Sequence, residues 1–205
     1  LEATNIEAEV DWIVDGVHSF ISGGLQPEEI LVIALDDRNA RNYLSRIAER
    51  LAIDEVASNN VIADPYNEPP FTISGKVTLS TVYRAKGNEA AVVFAVGIDA
   101  VDTRYRDGRN KIFTAFTRSK AWLRVSGIAP GAVAIIEELR TAIANSPCIR
   151  FKMPDLKEIE TIQRGFSKKQ AAARVAREQY LKQLRAAGFS EEEVEEEMQQ
   201  GLTNE

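Results

Sequence analysis

Residues 77–89 read Val-Thr-Leu-Ser-Thr-Val-Tyr-Arg-Ala-Lys-Gly-Asn-Glu, and the fold turns on how that stretch is understood. Val77 and Leu79 alternate with Thr78 and Ser80, as in a half-buried strand. From Thr81 to Asn88, hydroxyls, cations and a glycine interleave before apolar residues resume at Ala90. Parallel α/β sheets build sites in loops of this kind, because loops at the carboxyl ends of strands vary while the sheet holds them in place. An ordinary connection between two strands reads the same way.

On either side the pattern predicts alternating helices and strands. Residues 30–35 form an unbroken apolar run, typical of a strand buried on both faces. Upstream, Ile6, Val10, Ile13, Val14, Val17 and Ile21 have the spacing of an amphipathic helix, which Gly23 and Gly24 end. Asp37 is placed to cap a helix over residues 38–51, since a carboxylate there accepts the free amide hydrogens of the first turn. Residues 54–74 contain Pro65, Pro69 and Pro70 and predict a loop, with at most one short strand around Val56 or Ile62. Downstream, residues 91–98, 122–125 and 148–153 predict strands, and residues 132–143 a helix after Pro130-Gly131. The sum is an α/β domain over 1–154 with a mainly parallel sheet flanked by helices. Residues 99–111 are polar and group Arg104, Arg106 and Arg109 with Lys111; a solvated loop and the wall of a phosphate-rich cleft both fit them.

Residues 111–127 read Lys-Ile-Phe-Thr-Ala-Phe-Thr-Arg-Ser-Lys-Ala-Trp-Leu-Arg-Val-Ser-Gly. Together with 77–89 they resemble superfamily 1 helicases of the UvrD/Rep type. Thr81, Ala85, Lys86, Gly87 and Glu89 match the fifth motif of that family, followed by an apolar strand at 92–96. Phe116, Thr117, Arg118, Ser119 and Leu123 match the sixth. Tyr83 stands where histidine is usual, Asn88 where leucine is, and Ala90 where an aromatic is.

The resemblance implies a RecA-like P-loop NTPase fold and the second of two motor domains, with ATP lying between them. On this resemblance Arg118, and with it Arg38, neutralises charge on the transferred phosphate. Arg38 comes from a fourth motif at residues 37–41, in which Arg41 is the second choice for a nucleotide contact. Glu89 resembles the residue that touches the nucleotide sugar or braces the arginines, with Gly87 beside it. Thr81, Tyr83 and Lys86 resemble positions that face single-stranded DNA or RNA, where Tyr83 would stack on a base. Relatives usually carry a large helical insertion between the fourth and fifth motifs, and residues 54–74 leave no room for one.

A phosphate loop of the form Gly-x-x-x-x-Gly-Lys-Ser/Thr cradles phosphates with its amides and holds magnesium with its hydroxyl. The nearest approach, Ser74-Gly75-Lys76-Val77, lacks the first glycine and the hydroxyl. ATP with Mg2+ is therefore expected to be shared with an N-terminal RecA-like P-loop domain, no metal ligand is assigned to this chain, and the chain alone is not expected to hydrolyse ATP. A second class stays open: a degenerate RecA-like domain kept as a non-catalytic binding or interaction module.

The 205 residues, 44% of them apolar, suffice for one sizeable core and an appendage. Beyond Pro154 the composition turns to Lys, Arg, Gln, Ala and Glu. Ser167-x-x-Gln170 and Ser190-x-x-Glu193 have the form of capping boxes, with Gly188 as a stop between them. Residues 155–205 are thus expected to be a charged helical tail, its first helix carrying Val175, Tyr180, Leu181 and Leu184 and its second acidic over 191–197. The net charge of −6 argues against non-specific coating of nucleic acid and permits a local basic groove. Cys148 is the only cysteine and His18 the only histidine, which excludes a disulfide framework and a cysteine–histidine zinc site. A reducing, cytoplasmic setting is expected. No apolar run is long enough to cross a bilayer, and the opening residues 1–9 are acidic rather than basic.

Overall fold

The computed structural model describes residues 1–64, 66, 69–148, 153 and 180. The chain divides into two compact units, Leu1–Met153 and Pro154–Glu205. Apart from Tyr180, the expected tail helices lie outside the described residues, as do residues 149–152 of the expected last strand.

The first unit opens with β1 (Glu2–Ala3) and α1 (Ile6–Ser22). The side chain of Asn5 starts α1 by accepting from the Ala8 amide at 2.9 Å. At the other end the Gly23 amide closes onto the Ser19 carbonyl at 3.0 Å. There follow β2 (Ile30–Ala34), α2 (Ala40–Ile53), β3 (Ser58–Asn60), β4 (Val77–Thr81) and β5 (Ala90–Val96). The rest comprises α3 (Arg106–Phe116), β6 (Ser119–Val125), β7 (Gly127–Ile128) and α4 (Val133–Ala144). The main sheet has the order β3-β4-β2-β5-β6, and every pairing in it is parallel. Leu31, Ile33, Val77, Leu79, Val93, Phe94, Leu123 and Val125 all lie in this one sheet, as the pattern predicts.

All residues of β2 are buried, because both faces of the sheet are covered. On one face α1 and α2 cover Val32, Ala34, Val77, Leu79, Val92 and Phe94. Phe94, fully buried, meets the rings of Trp12 and Phe20 edge-on at 5.8 and 6.1 Å. On the other face Ile112 and Ala115 of α3 and Ile135 and Ile136 of α4 cover Leu31, Ile33, Val93 and Ala95.

Three local expectations need correction. Asp36, not Asp37, organises the entry to α2: its carboxylate accepts from the amides of Arg38 (3.1 Å) and Asn39 (3.4 Å) and from the Asn39 side chain (2.8 Å). Asp37 instead meets Lys111. The short strand in the proline-rich segment is Ser58–Asn60, between the two expected centres. It is polar, and its buried Asn59 ties down the loop by donating to Pro70 O (2.9 Å) and Phe71 O (3.0 Å). The polar stretch 99–111 is not simply a loop, because α3 begins at Arg106. Its Gly108 sits where a Cβ would lie 2.1 Å from the Asp102 carbonyl oxygen, so only glycine fits there.

Candidate functional site

In a parallel sheet all carboxyl ends share one edge, and the register fixes which residues meet there. Ala34 pairs with Thr81 on one side and Val96 on the other. The turn after β2 and the loop after β4 are therefore neighbours. Lys111, reaching over from α3, joins them. Its ammonium donates to Leu35 O at 2.6 Å, pairs with Asp37, and lies 5.8 Å from the centre of the Tyr83 ring. Tyr83 is 71% exposed, leaving most of its ring available to a ligand. Arg38 and Arg41 are exposed at the start of α2 on this same edge, and Thr81 is half-buried there.

Residues 82–89 carry the chain back to the amino edge as little more than one helical turn. Ala85 N bonds to Thr81 O (2.9 Å) and Asn88 N to Ala85 O (3.0 Å). Val82 and Ala85 anchor the turn in the core, while Lys86 and Gly87 are exposed. Gly87 has φ +87°, the left-handed region, and open space where a Cβ would be; the constraint on it is conformational, not steric.

At the amino edge, Ala90 N bonds to Arg118 O at 3.0 Å, which places Glu89 beside Arg118. The Arg118 guanidinium is held by neutral oxygens alone among the described residues. Its Nε donates to Thr114 O and an Nη to Thr117 Oγ1, both at 3.1 Å. Several arginines are paired with acids: Arg109 with Glu138, Arg104 with Asp102, Arg140 with Glu2 and Glu137; Arg118 and Arg124 are not, among the described residues. In the basic cluster of 104–111, Arg104, Arg109 and Lys111 each hold a carboxylate.

The expected site residues thus fall into two groups. Glu89 and Arg118 are neighbours along the backbone at the amino edge, and Lys86 and Gly87 lie in the turn leading into it. Thr81, Tyr83, Arg38 and Arg41 gather at the carboxyl edge. Six residue steps along β5, from Ala90 to Val96, separate the edges by about 20 Å. Within this domain the turns that carry Arg38 and Arg118 therefore stand at opposite edges of the sheet.

A buried polar knot braces the carboxyl edge. Glu9, 1% exposed, accepts from Ser126 Oγ (2.7 Å) and Gly97 N (3.1 Å), tying α1 to the ends of β5 and β6. Beside it the Tyr43 hydroxyl is buried, and burial, then the neighbouring Glu9 carboxylate, pushes its ionisation well above the usual phenol range. His18 pairs with Asp54 at 3.1 Å on the surface. Among the described residues no cluster of His, Cys, Asp or Glu could hold a metal ion, and no helix is long and apolar enough to cross a membrane.

Both motif-bearing turns lie in one parallel α/β domain. Residues 76–126 match the family model of the UvrD-like helicase C-terminal domain, a segment that contains Thr81, Tyr83, Glu89 and Arg118. Among solved structures, the chain is similar to one described as the C-terminal domain of a possible DNA helicase from Lactobacillus plantarum WCFS1. The identity is 19% and the TM-score 0.45, over 62% of this chain and 70% of that one. No curated protein matches the chain.

Proposed function

We propose that this chain is the second motor domain of an ATP-dependent superfamily 1 helicase or translocase, working with an N-terminal RecA-like P-loop domain on single-stranded DNA or RNA. The observation that carries the reading is Arg118, whose charge no described carboxylate compensates and whose fork is oriented by the Thr114 carbonyl and the Thr117 hydroxyl. ATP with Mg2+, bound mainly by the P-loop domain, supplies the phosphoryl group and its leaving group. Arg118 meets the negative charge that develops on the transferred phosphate, with a planar fork that reaches two oxygens at once. Glu89 faces the nucleotide sugar or braces Arg118, and Gly87 supplies the turn that brings Glu89 there. Thr81, Tyr83 and Lys86 face the nucleic-acid strand. Arg38, with Arg41 as the second choice, is the further candidate for a phosphate contact, from the turn on the Tyr83 edge.

The test compares this chain alone, the chain joined to the P-loop domain of its own protein, and the joined form with Arg118→Ala. The chain alone should hydrolyse no ATP above background, and the joined form should show hydrolysis stimulated by single-stranded nucleic acid. Arg118→Ala should lower turnover on the order of a thousandfold while nucleotide affinity changes far less, and Arg118→Lys should rescue little. Full activity in the alanine variant would remove Arg118 from the mechanism. A joined protein that binds nucleic acid without hydrolysis would favour the interaction module.

A further inference from the structure

β6 is an edge strand of the sheet, and its Trp122 and Arg124 stand opposite Val92 and Phe94 of β5, on the face that α1 covers. α1 meets them with two aromatic rings. The Trp122 ring lies tilted 5.7 Å from that of Phe20, and the Arg124 guanidinium sits 5.6 Å from Phe20 and 5.9 Å from Trp12. Even so, Trp122 remains 52% exposed. Arg124 and the exposed Lys120 pair with no carboxylate among the described residues, unlike Arg46 and Arg50 on the same side of the sheet. An open indole flanked by two uncompensated cations suits a ligand with flat π-faces and a negatively charged backbone.

The edge itself argues against a protein strand as the occupant. The register of β6 slips between its pairings with Ala90 and Val92, so β6 carries an extra residue next to Lys120. A bulge together with a lysine is the device by which edges resist strand addition. We propose that the β6 edge, with Trp122 and Arg124 backed by Trp12 and Phe20 and the exposed Lys120 beside them in the strand, binds single-stranded nucleic acid, with a base stacked on Trp122 and phosphates near the two cations. β6 lies three strand spacings from β4, about 14 Å across the sheet, so this contact is separate from the Tyr83 loop. It requires neither nucleotide nor Arg118.

The whole chain is titrated against a labelled oligothymidylate without nucleotide, following anisotropy and tryptophan quenching. Trp122→Ala should weaken binding on the order of tenfold, and Trp122→Phe should keep most of it, because any aromatic face can stack. Arg124→Glu and Lys120→Glu should each weaken binding and flatten its salt dependence, by about 0.7 in log–log slope for each phosphate no longer neutralised. Lys120 is exposed, which keeps the charge test independent of any loss of fold in the indole variants. Wild-type affinity in Trp122→Ala, equal losses in Trp122→Ala and Trp122→Phe, or no binding by the unaltered chain would overturn the proposal. So would self-association in sedimentation that Trp122→Ala abolishes while oligothymidylate binding is unchanged. Loss in Tyr83→Ala with none in Trp122→Ala would sink this proposal and leave the motor-domain reading standing.

Discussion

Lys111→Met keeps the side-chain stem and removes the ammonium that joins α3 to the end of β2. The magnitude follows from the two ends of that contact. The Lys111 side chain is 16% exposed and its partner Asp37 39% exposed, so the ion pair faces water on the carboxylate side, where such pairs contribute about 0–1 kcal/mol. The 2.6 Å bond to Leu35 O is different, since Leu35 is fully buried and a hydrogen bond involving a charge contributes about 1.5–3 kcal/mol. Methionine also relieves the desolvation of a mostly buried ammonium, which offsets part of the loss. A net destabilisation of about 2 kcal/mol results, read as a fall of about 4–8 °C in melting temperature or as a lower urea midpoint with unchanged slope. Asp37→Asn leaves the ammonium on the carbonyl and should cost only about 0.5 kcal/mol. The reasoning fails if Lys111→Met changes stability by less than about 0.5 kcal/mol, or if Asp37→Asn proves the more damaging of the two.

Two further outcomes are expected. Gly87→Ala should destabilise by about 1 kcal/mol, through left-handed strain with no clash to relieve, as measured by urea unfolding; an unchanged midpoint would mean the turn relaxes freely. Glu28 has its carboxyl held below the usual range by its own backbone amide, then by the Gly75 amide (2.8 Å) and the Ser74 hydroxyl (2.9 Å). A depressed folded pKa contributes stability that is present above the unfolded carboxylate value and lost as pH falls through the folded one. The protection factor of the Gly75 amide, measured against its intrinsic exchange rate, should therefore fall once pH drops below the ordinary glutamate range and through the depressed folded value, and Glu28→Gln should remove that pH dependence.

What the sequence made legible is what two-sided burial and motif spacing encode. β2, β4 and β5 announce themselves through Val, Ile and Leu, and the apolar periodicity of α1 survives intact into its buried face. The start of α3 was hidden because its first turns are polar and contain Gly108, a poor helix former whose presence answers to a contact with Asp102. β3 was hidden because its one buried side chain is Asn59, which serves the proline loop and not the core. The exchange of roles between Asp36 and Asp37 was illegible for a different reason. Either carboxylate could cap the helix locally, and the choice is made by Lys111, 74 residues away in sequence. The separation of Arg38 from Arg118 has the same origin, since motif order says nothing about which edge of the sheet each turn occupies.

That separation bears on how the two halves of the candidate site could communicate. α3 is fastened at Lys111 to the carboxyl edge, beneath Tyr83, and its last turn supplies the Thr114 carbonyl that orients Arg118 beyond its far end. From Lys111 to Phe116 is five helical steps, about 7.5 Å of rod. In the proposed motor, a strand that displaces Tyr83 acts on Lys111 directly, and a displacement of Lys111 is a displacement of the helix that aims the arginine. The alternative route, residues 82–89, also links the edges, but it is one turn with an exposed Lys86 and a left-handed Gly87. A packed helix transmits a shift better than such a turn. If α3 is the connection, Lys111→Met in the joined protein should reduce stimulation by nucleic acid more than it reduces unstimulated hydrolysis, whereas Gly87→Ala should not separate the two. Equal loss of both rates in Lys111→Met would mean that the lysine matters only for folding.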